Sequence, residues 1–567
     1  MKCCPQCGRE YDNTMSFCLD DGAELLYGPA DELATAILHT TGAVGEAPTR
    51  AQIHTTAQTP VGDDTGTGSF TAKAFDKRFL FAPLAIVLVV LLAVAGYRYL
   101  RPSATPGSIN SIAVLPFENL SGSADADYLS DGLTDSLIFR FSQLPDLKVS
   151  PTSSVMRYKG KGADIAEIAN ALDVDGVLSG RLMRVGDSLG ISVQLIDARN
   201  GKVVWAEQYD RKMADLLATQ REIATTLTQK MQLKLGGDER GIAKKYTSSS
   251  EAYQLYMKGR FHYARRIKDD MLKAIESYKH AIELDPNFAL AYAATAEAYN
   301  SMGKNPDVTP KECIPLAKTA AIKALEIDPD LAQAHSALAD SLAIYDWNWA
   351  ESEKHFRRAL ELDPNVAYTH VAYALADLSA AGKTGEMARE LERAVEIEPL
   401  SMINNAVLVT GYIHARQYDK ALVQAKSAYE LDPGFPLAWH WLGMAYIVNG
   451  RYDDAVALSK QLPAESPWGW MSVVMRALAY AASGDRISSE KEIAVLRELG
   501  KSRYVRRYYL ASIYAALGDK DDAFAELERS FEERDCYLGR MASDPFMDSL
   551  RDDARFKDLM RRINLSS

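Results

Sequence analysis

No phosphate loop ending in Gly-Lys-Ser/Thr, no His-Glu-x-x-His zinc-protease motif, no nucleophile elbow and no kinase signature set occurs in this sequence. The Gly-rich run GDDTGTGS lacks the Lys-Ser/Thr ending, and no strand precedes it, so it reads as linker. Positive charge is scarce: 64 Lys and Arg stand against 76 Asp and Glu, a formal net charge of -12. That balance excludes a general nucleic-acid binder, whose affinity rests on cations neutralising phosphates. Cysteine is scarce too, with six residues unevenly placed. Cys3, Cys4, Cys7 and Cys18 crowd the start while Cys313 and Cys536 stand far apart, a distribution that suits one metal site and not a disulfide framework. Histidines such as His262, His335, His370 and His440 lack the i, i+4 pairing around a Glu that a zinc protease needs. No catalytic residue is therefore expected, and no small-molecule substrate is identified.

At 567 residues the chain exceeds one ordinary core, so several units are expected. Residues 79–97, FLFAPLAIVLVVLLAVAGY, carry no charge and are flanked by Lys77, Arg78, Arg98 and Arg101. At about 1.5 Å per residue they nearly match a hydrocarbon core of about 30 Å, so a single transmembrane helix is expected over 78–100, in contact with the lipid bilayer. Before it, residues 27–77 are rich in Ala, Thr and Gly and poor in large apolar side chains, the composition of a flexible tether.

From Ser108 the pattern alternates between strands and helices. SIAVLPF is a compact apolar run, as a buried strand would be, and LKVSP is a short strand. Leu133, Leu137 and Phe141 recur every four residues in a helix that Pro145 ends, and Ile165, Ile168, Ala169 and Leu172 share one face of a second. GVLSGRLMRVG, SLGISVQLIDARNG and KVVWAEQYD read as strands, the last two joined by a hairpin at Arg199-Asn200-Gly201, and MADLLATQREIATTLTQKMQLKL closes the unit as a long helix. A small α/β domain of about five strands follows for 108–236. Through IAVLPFENLSG, YLSDGLTDSLI, the block from Lys159 to Asp187 and VQLIDARNGKVVWAEQYDR, it resembles the TolB amino-terminal-like, FlgO-like domain of bacterial proteins that end in helical repeats. That resemblance implies no catalytic residue. Asp125, Asp127, Asp131 and Asp135 lack the spacing of a calcium loop and read as solvated carboxylates.

From Glu251 the chain repeats. Asp285-Pro286, Asp328-Pro329, Asp363-Pro364, Glu398-Pro399 and Asp432-Pro433 lie 43, 35, 35 and 34 residues apart, against about 34 for a tetratricopeptide repeat (TPR), the first interval carrying an insertion around NPDVTPKECIP. Ala274, Tyr278 and Ala281 fit a second helix; so do Phe356 and Ala359, with Ala350 as the small residue. Trp439, Leu442, Gly443 and Tyr446 mark a first helix. Seven to nine repeats are expected over 250–565, with a degenerate stretch near Pro463–Gly500. No helix pair buries its apolar face alone, so neighbours stack into a superhelix that binds proteins. Trp347 and Trp349 read as packing residues.

At the N-terminus, Cys4-Pro5-Gln6-Cys7-Gly8 and Cys18-Leu19-Asp20-Asp21-Gly22 place possible ligands three apart before Gly. Cys4, Cys7, Cys18 and Asp21 form a candidate structural zinc site over residues 1–26, with Cys3 as an alternative to Asp21. The segment resembles the short zinc ribbons that open many bacterial membrane proteins.

The expected fold class is thus multidomain: a short zinc ribbon, a linker, one transmembrane helix, a small α/β domain and an all-α TPR solenoid. The function expected is a scaffold or sensor acting through protein contacts at the inner (cytoplasmic) membrane. Thiolates favour a reducing compartment, which places the N-terminus in the cytoplasm and the C-terminal domains in the periplasm. The alternative is a signalling or regulatory protein whose ribbon touches a cytoplasmic partner or nucleic acid.

Overall fold

The computed structural model describes residues 109–565 apart from short breaks at 122–126, 145–146, 163, 232–245, 266, 306–307 and 463–467, together with the segments Lys2–Cys3, Glu10–Tyr11 and Leu26–Tyr27. The chain divides into two units, Met1–Leu100 and Arg101–Ser567. In the first, β1 (Lys2–Cys3) pairs antiparallel with both β2 (Glu10–Tyr11) and β3 (Leu26–Tyr27), so Cys3 faces Glu10 on one side and Leu26 on the other. The candidate ligands Cys4, Cys7, Cys18 and Asp21, the tether 28–77 and the apolar stretch 78–100 lie outside the described residues. Among the described residues, no helix is long and apolar enough to cross a membrane.

The second unit opens with a mixed sheet of six strands. β4 (Ser111–Val114) lies parallel to both β6 (Lys148–Val149) and β7 (Gly176–Val185), and β5 (Glu118–Asn119) also runs parallel to β7. Beyond β7 come β8 (Ser188–Asp197) and β9 (Lys202–Lys212), both antiparallel. The strand beyond the expected five is β5, which at two residues is too short for alternation to show. The expected hairpin between β8 and β9 turns at Gly201, whose φ of 68° is left-handed and whose amide donates to the Asp197 carbonyl at 2.8 Å. Along β8, Leu189, Ile191, Val193 and Leu195 alternate into the core. They pack with α1 (Asp127–Ser142), whose Leu133, Leu137 and Phe141 are fully buried, and α4 (Leu216–Lys230), which follows the shorter α2 (Thr152–Met156) and α3 (Ile165–Leu172). Burial of each such side chain contributes roughly 1.5–3 kcal/mol.

The remainder is a helical solenoid. Its first six helices are α5 (Ser250–Tyr263), α6 (Lys268–Leu284), α7 (Ala289–Gly303), α8 (Pro310–Ile327), α9 (Ala332–Ser341) and α10 (Trp349–Leu362). Next come α11 (Ala367–Ala372), α12 (Thr384–Ile397), α13 (Met402–His414), α14 (Tyr418–Leu431), α15 (Pro436–Val448) and α16 (Tyr452–Ser459). The last are α17 (Gly469–Ser483), α18 (Arg486–Leu499), α19 (Arg507–Leu517), α20 (Lys520–Glu533) and α21 (Ala554–Arg562). Among the described residues these make eight helix pairs and a terminal helix, within the seven to nine repeats expected.

The spacing of small residues explains the stacking. At Gly259 a Cβ would lie 2.2 Å from the rigid Tyr278 ring, so only glycine lets these helices approach so closely, and at Gly443 the Met475 thioether packs into the space a Cβ would take. Ala274, Ala281 and Ala359 are fully buried as expected. Ala350 is exposed; the buried small residue in the first turn of α10 is Ser352, whose hydroxyl donates to the Ala339 carbonyl at 3.0 Å. A hydroxyl satisfied inside the core does the work of an alanine there, which a search for Ala and Gly overlooks. The long 43-residue interval is taken up by the connection before α8 and by that helix's own length of 18 residues. The stretch expected to be degenerate forms the regular pair α17 and α18.

Candidate functional site

The α/β domain and the solenoid are not beads on a string. A single hydrophobic core runs from β4 and α1 through Tyr253 and Met257 of α5 to Phe288 and Leu290 of the second repeat. The contact is close because Gly132 on α1 admits Met257; a Cβ there would fall 2.8 Å from that side chain. Polar groups fix the register. The Ser136 hydroxyl lies 2.6 Å from the Tyr253 hydroxyl and donates to Gln220 at 3.0 Å. Asp135 accepts from Arg260 at 3.2 Å and from Thr152 at 2.7 Å. Farther along the array, Gln143 donates to Asp363 at 2.7 Å and Ser153 to Glu398 at 3.0 Å.

These bonds correct the reading of the α1 carboxylates. Asp131 is held by Lys159 at 2.7 Å, Asp127 accepts from Asn119 at 2.8 Å, and Asp135 belongs to the joint with the first repeat; Asp125 lies outside the described residues. They are structural ion pairs and hydrogen bonds, neither freely solvated nor grouped for a cation. Asp135, and behind it Glu297, hold the half-buried Arg260 guanidinium firmly charged. Among the described residues no group of three or more His, Cys, Asp or Glu side chains is placed to hold a metal.

The other end of the array folds back on earlier repeats. Arg534 donates to the Tyr345 carbonyl at 3.0 Å, and its guanidinium lies 4.0 Å above the Trp347 ring. Trp347 is buried with a φ of 55° and stacks on Phe531, ring centroids 4.9 Å apart. Trp349 donates its indole N–H to the Ile563 carbonyl at 2.8 Å. Ser543 bridges the Ser379 carbonyl at 2.7 Å and His414 at 2.8 Å. The two tryptophans are packing residues, as expected, but their partners lie about two hundred positions away in sequence, where periodicity carries no signal.

Between the α/β domain, the first helices of the repeats and the returning C-terminal segment lies a cavity of about 1780 Å³. One wall carries Phe139, Arg140 and Tyr246 near α1, a second carries Tyr368, Val371 and Leu375 around α11, and a third carries Trp441, Trp468, Tyr537 and Arg540. Small-ligand sites usually measure roughly 300–1,000 Å³, so this one has room for a length of polypeptide. Its wall mixes aromatic rings, aliphatic side chains and charges of both signs. None of these lining residues was legible as a site in the sequence. Tyr537 and Arg540 lie after the last repeat, outside its pattern, and are brought to the cavity only by the closing of the superhelix.

Both cysteines of this unit, Cys313 and Cys536, are free and buried. Burial raises the Cys313 thiol to about 11. His414 and His440 are driven down to about 3, both by burial and His414 also by Arg540, Arg416 and Arg551, so both are neutral in the folded chain. His335 and His355 meet nitrogen to nitrogen at 2.8 Å, and burial lowers both.

Comparison with known proteins agrees with the repeats. Tetratricopeptide-repeat models match residues 263–288 and 412–467, and the model of the second domain of HilA/YgeH-like transcriptional regulators matches 108–226. The chain is 34% identical over 185 residues to putative adenylate cyclase 3 of Rhizobium meliloti (strain 1021), covering 32% of each. It is 25% identical over 252 residues to transcriptional regulator HilA of Salmonella typhimurium, covering 42% of this chain and 43% of that one. The chain thus spans less than half the length of these relatives. Among solved structures, PilF of Pseudomonas aeruginosa has 19% identity, covering 37% of this chain and 91% of its own, with a TM-score of 0.29. The human IFIT1 dimer with m7Gppp-AAAA has 15% identity, covering 56% and 77%, with a TM-score of 0.38. The chain carries a TPR solenoid joined to a small α/β domain.

Proposed function

We propose that this protein is a single-pass membrane scaffold or sensor whose TPR array holds an extended segment of a partner protein in the cavity closed by the α/β domain and the C-terminal turn. The observation that carries the reading is that cavity: large, aromatic-lined, and walled by first helices of successive repeats. A TPR array generally works through protein contacts, so the protein is read as a non-enzyme. The shared core between the α/β domain and the first repeats makes the two one lever. A force or ligand on either is felt by the other.

In this reading residues 78–100 anchor the chain, and the α/β domain resembling TolB and FlgO lies with the repeats outside the cytoplasmic membrane. The N-terminal segment is a cytoplasmic zinc ribbon held by Cys4, Cys7, Cys18 and Asp21, with Cys3 on its first strand. Four such ligands close the coordination sphere, so the zinc is structural.

Two experiments test the reading. Val371→Glu with Leu375→Glu puts two carboxylates on the cavity wall; a partner that co-purifies with the wild-type chain should be lost, while Val423→Glu on exposed α14 leaves it bound. Equal loss or equal retention in both variants contradicts the cavity as the seat. Protease treatment of intact spheroplasts should remove a tag placed after Ser567, and protection until lysis reverses the orientation.

A further inference from the structure

Four of the arginines that line the cavity have carboxylate partners. Arg260 meets Asp135 at 3.2 Å, Arg265 meets Asp270 at 3.6 Å, Arg393 meets Glu396 at 3.1 Å and Arg506 meets Asp535 at 2.5 Å. Arg540 makes no ion pair with any described residue, and its Nε is buried without a hydrogen-bond partner. The side chain is nevertheless fixed, because its guanidinium lies 3.9 Å from the centre of the Tyr537 ring. A second guanidinium, that of Arg506, lies 4.4 Å from the same ring, so Tyr537 carries two cations. Arg506 is saturated by Asp535, the Cys536 sulfur at 3.1 Å and the Lys304 carbonyl at 3.3 Å. Asp544, four residues beyond Arg540, lies within reach of its charge but forms no ion pair with it, accepting instead from the Tyr508 hydroxyl at 2.9 Å and the Phe546 amide at 3.0 Å. Behind Tyr537 the rings continue through Tyr509, 5.9 Å away, to Trp470, a further 5.8 Å.

An oriented arginine that makes no ion pair among the described residues, on the wall of a cavity, is a ready partner for an external carboxylate. The aromatic surface beside it suits an apolar neighbour of that group. We infer that Arg540, seated on Tyr537, recognises an acidic side chain of the bound partner segment, one flanked by an aromatic or aliphatic residue. This rests on the cavity being the seat of a polypeptide, and it selects acidic segments among all those the cavity could hold. Arg540 is a specificity residue: removing it leaves the apolar wall and the length of the cavity unchanged.

The test is a random nonapeptide array probed with the full chain in detergent. Peptides retained by the wild type should be enriched in Asp or Glu next to an apolar residue. Arg540→Gln should retain a comparable number of peptides without that enrichment, and bind the best acidic peptide at least tenfold more weakly. Arg540→Lys, which keeps the charge, should keep the preference. Arg393→Gln, whose partner Glu396 lies on another wall, should also keep it. Retained peptides without acidic enrichment, or an enrichment that survives Arg540→Gln, overturn the inference while leaving the cavity as a peptide seat. A wild-type chain that retains no peptide overturns that reading and this inference with it.

Discussion

His440 is fully buried on α15 with neither ring nitrogen hydrogen-bonded, one face toward Tyr509 at 5.9 Å and the other toward Trp441. Burial depresses its pKa to about 3, against 6.5 for the free side chain. For a base whose folded pKa is depressed, the unfolded chain takes up the proton first. The stability it contributes is therefore present above about pH 6.5 and lost progressively toward pH 3. At pH 5 the unfolded state is favoured by about 2 kcal/mol for this one group, since each pH unit below its unfolded pKa is worth about 1.4 kcal/mol. His414, also near 3, adds a similar amount over the same window. His440→Leu, close in volume, should shrink the stability difference between pH 8 and pH 5 by about 2 kcal/mol. At pH 8 the variant should be no less stable, because two unpaired polar atoms leave the core. The assay is urea unfolding of the full chain at both pH values, followed by far-ultraviolet circular dichroism. Carboxylates titrate alike in both proteins and cancel in the comparison. An unchanged pH dependence in the variant refutes the neutral buried imidazole.

Other consequences follow from particular contacts. Gly259→Ala should destabilise the first repeat by about 1–3 kcal/mol and lower the thermal midpoint, because the new methyl group meets the Tyr278 ring across a packed helix pair. Asp377, buried five residues beyond α11, has its carboxyl raised to about 6 by desolvation. For a carboxyl raised in this way, stability is fully present below its ordinary value of 3.8 and lost as pH rises through about 6. Asp377→Asn should accordingly gain as much as about 3 kcal/mol at pH 8 and nothing at pH 3.5, read by thermal melts at the two pH values. Mass spectrometry of the purified full chain should find one zinc per molecule, and Cys18→Ser should lose it without altering the helical signal of the repeats.

Much of the fold could be read in the sequence because its signals are local. The acidic-Pro pairs mark the ends of α6, α8, α10, α12 and α14, and Leu133, Leu137 and Phe141 declare the buried face of α1 by spacing alone. What escaped depends on residues far apart. Asp135 is an ordinary surface carboxylate until Arg260, 125 positions later, is brought beside it. The indole of Trp349 is core-like by pattern, but only the returned C-terminus at Ile563 supplies its acceptor. The cavity is a property of the superhelix's curvature, which accumulates from small rotations between repeats and is encoded at no single position. Arg540 illustrates the limit most plainly: nothing near it in the chain distinguishes it from the paired arginines, and only the absence of an ion pair among the described residues does.

The most direct test of the cavity as a protein-binding seat is site-specific photocrosslinking in living cells. A photoreactive amino acid replaces Val371 on the cavity wall in one strain and Val423, 71% exposed on α14, in another. Ultraviolet light should join a discrete protein to the chain from position 371 and not from position 423. A crosslink from 423 alone, with none from 371, would place the partner on the outer face and contradict the cavity as the site of binding.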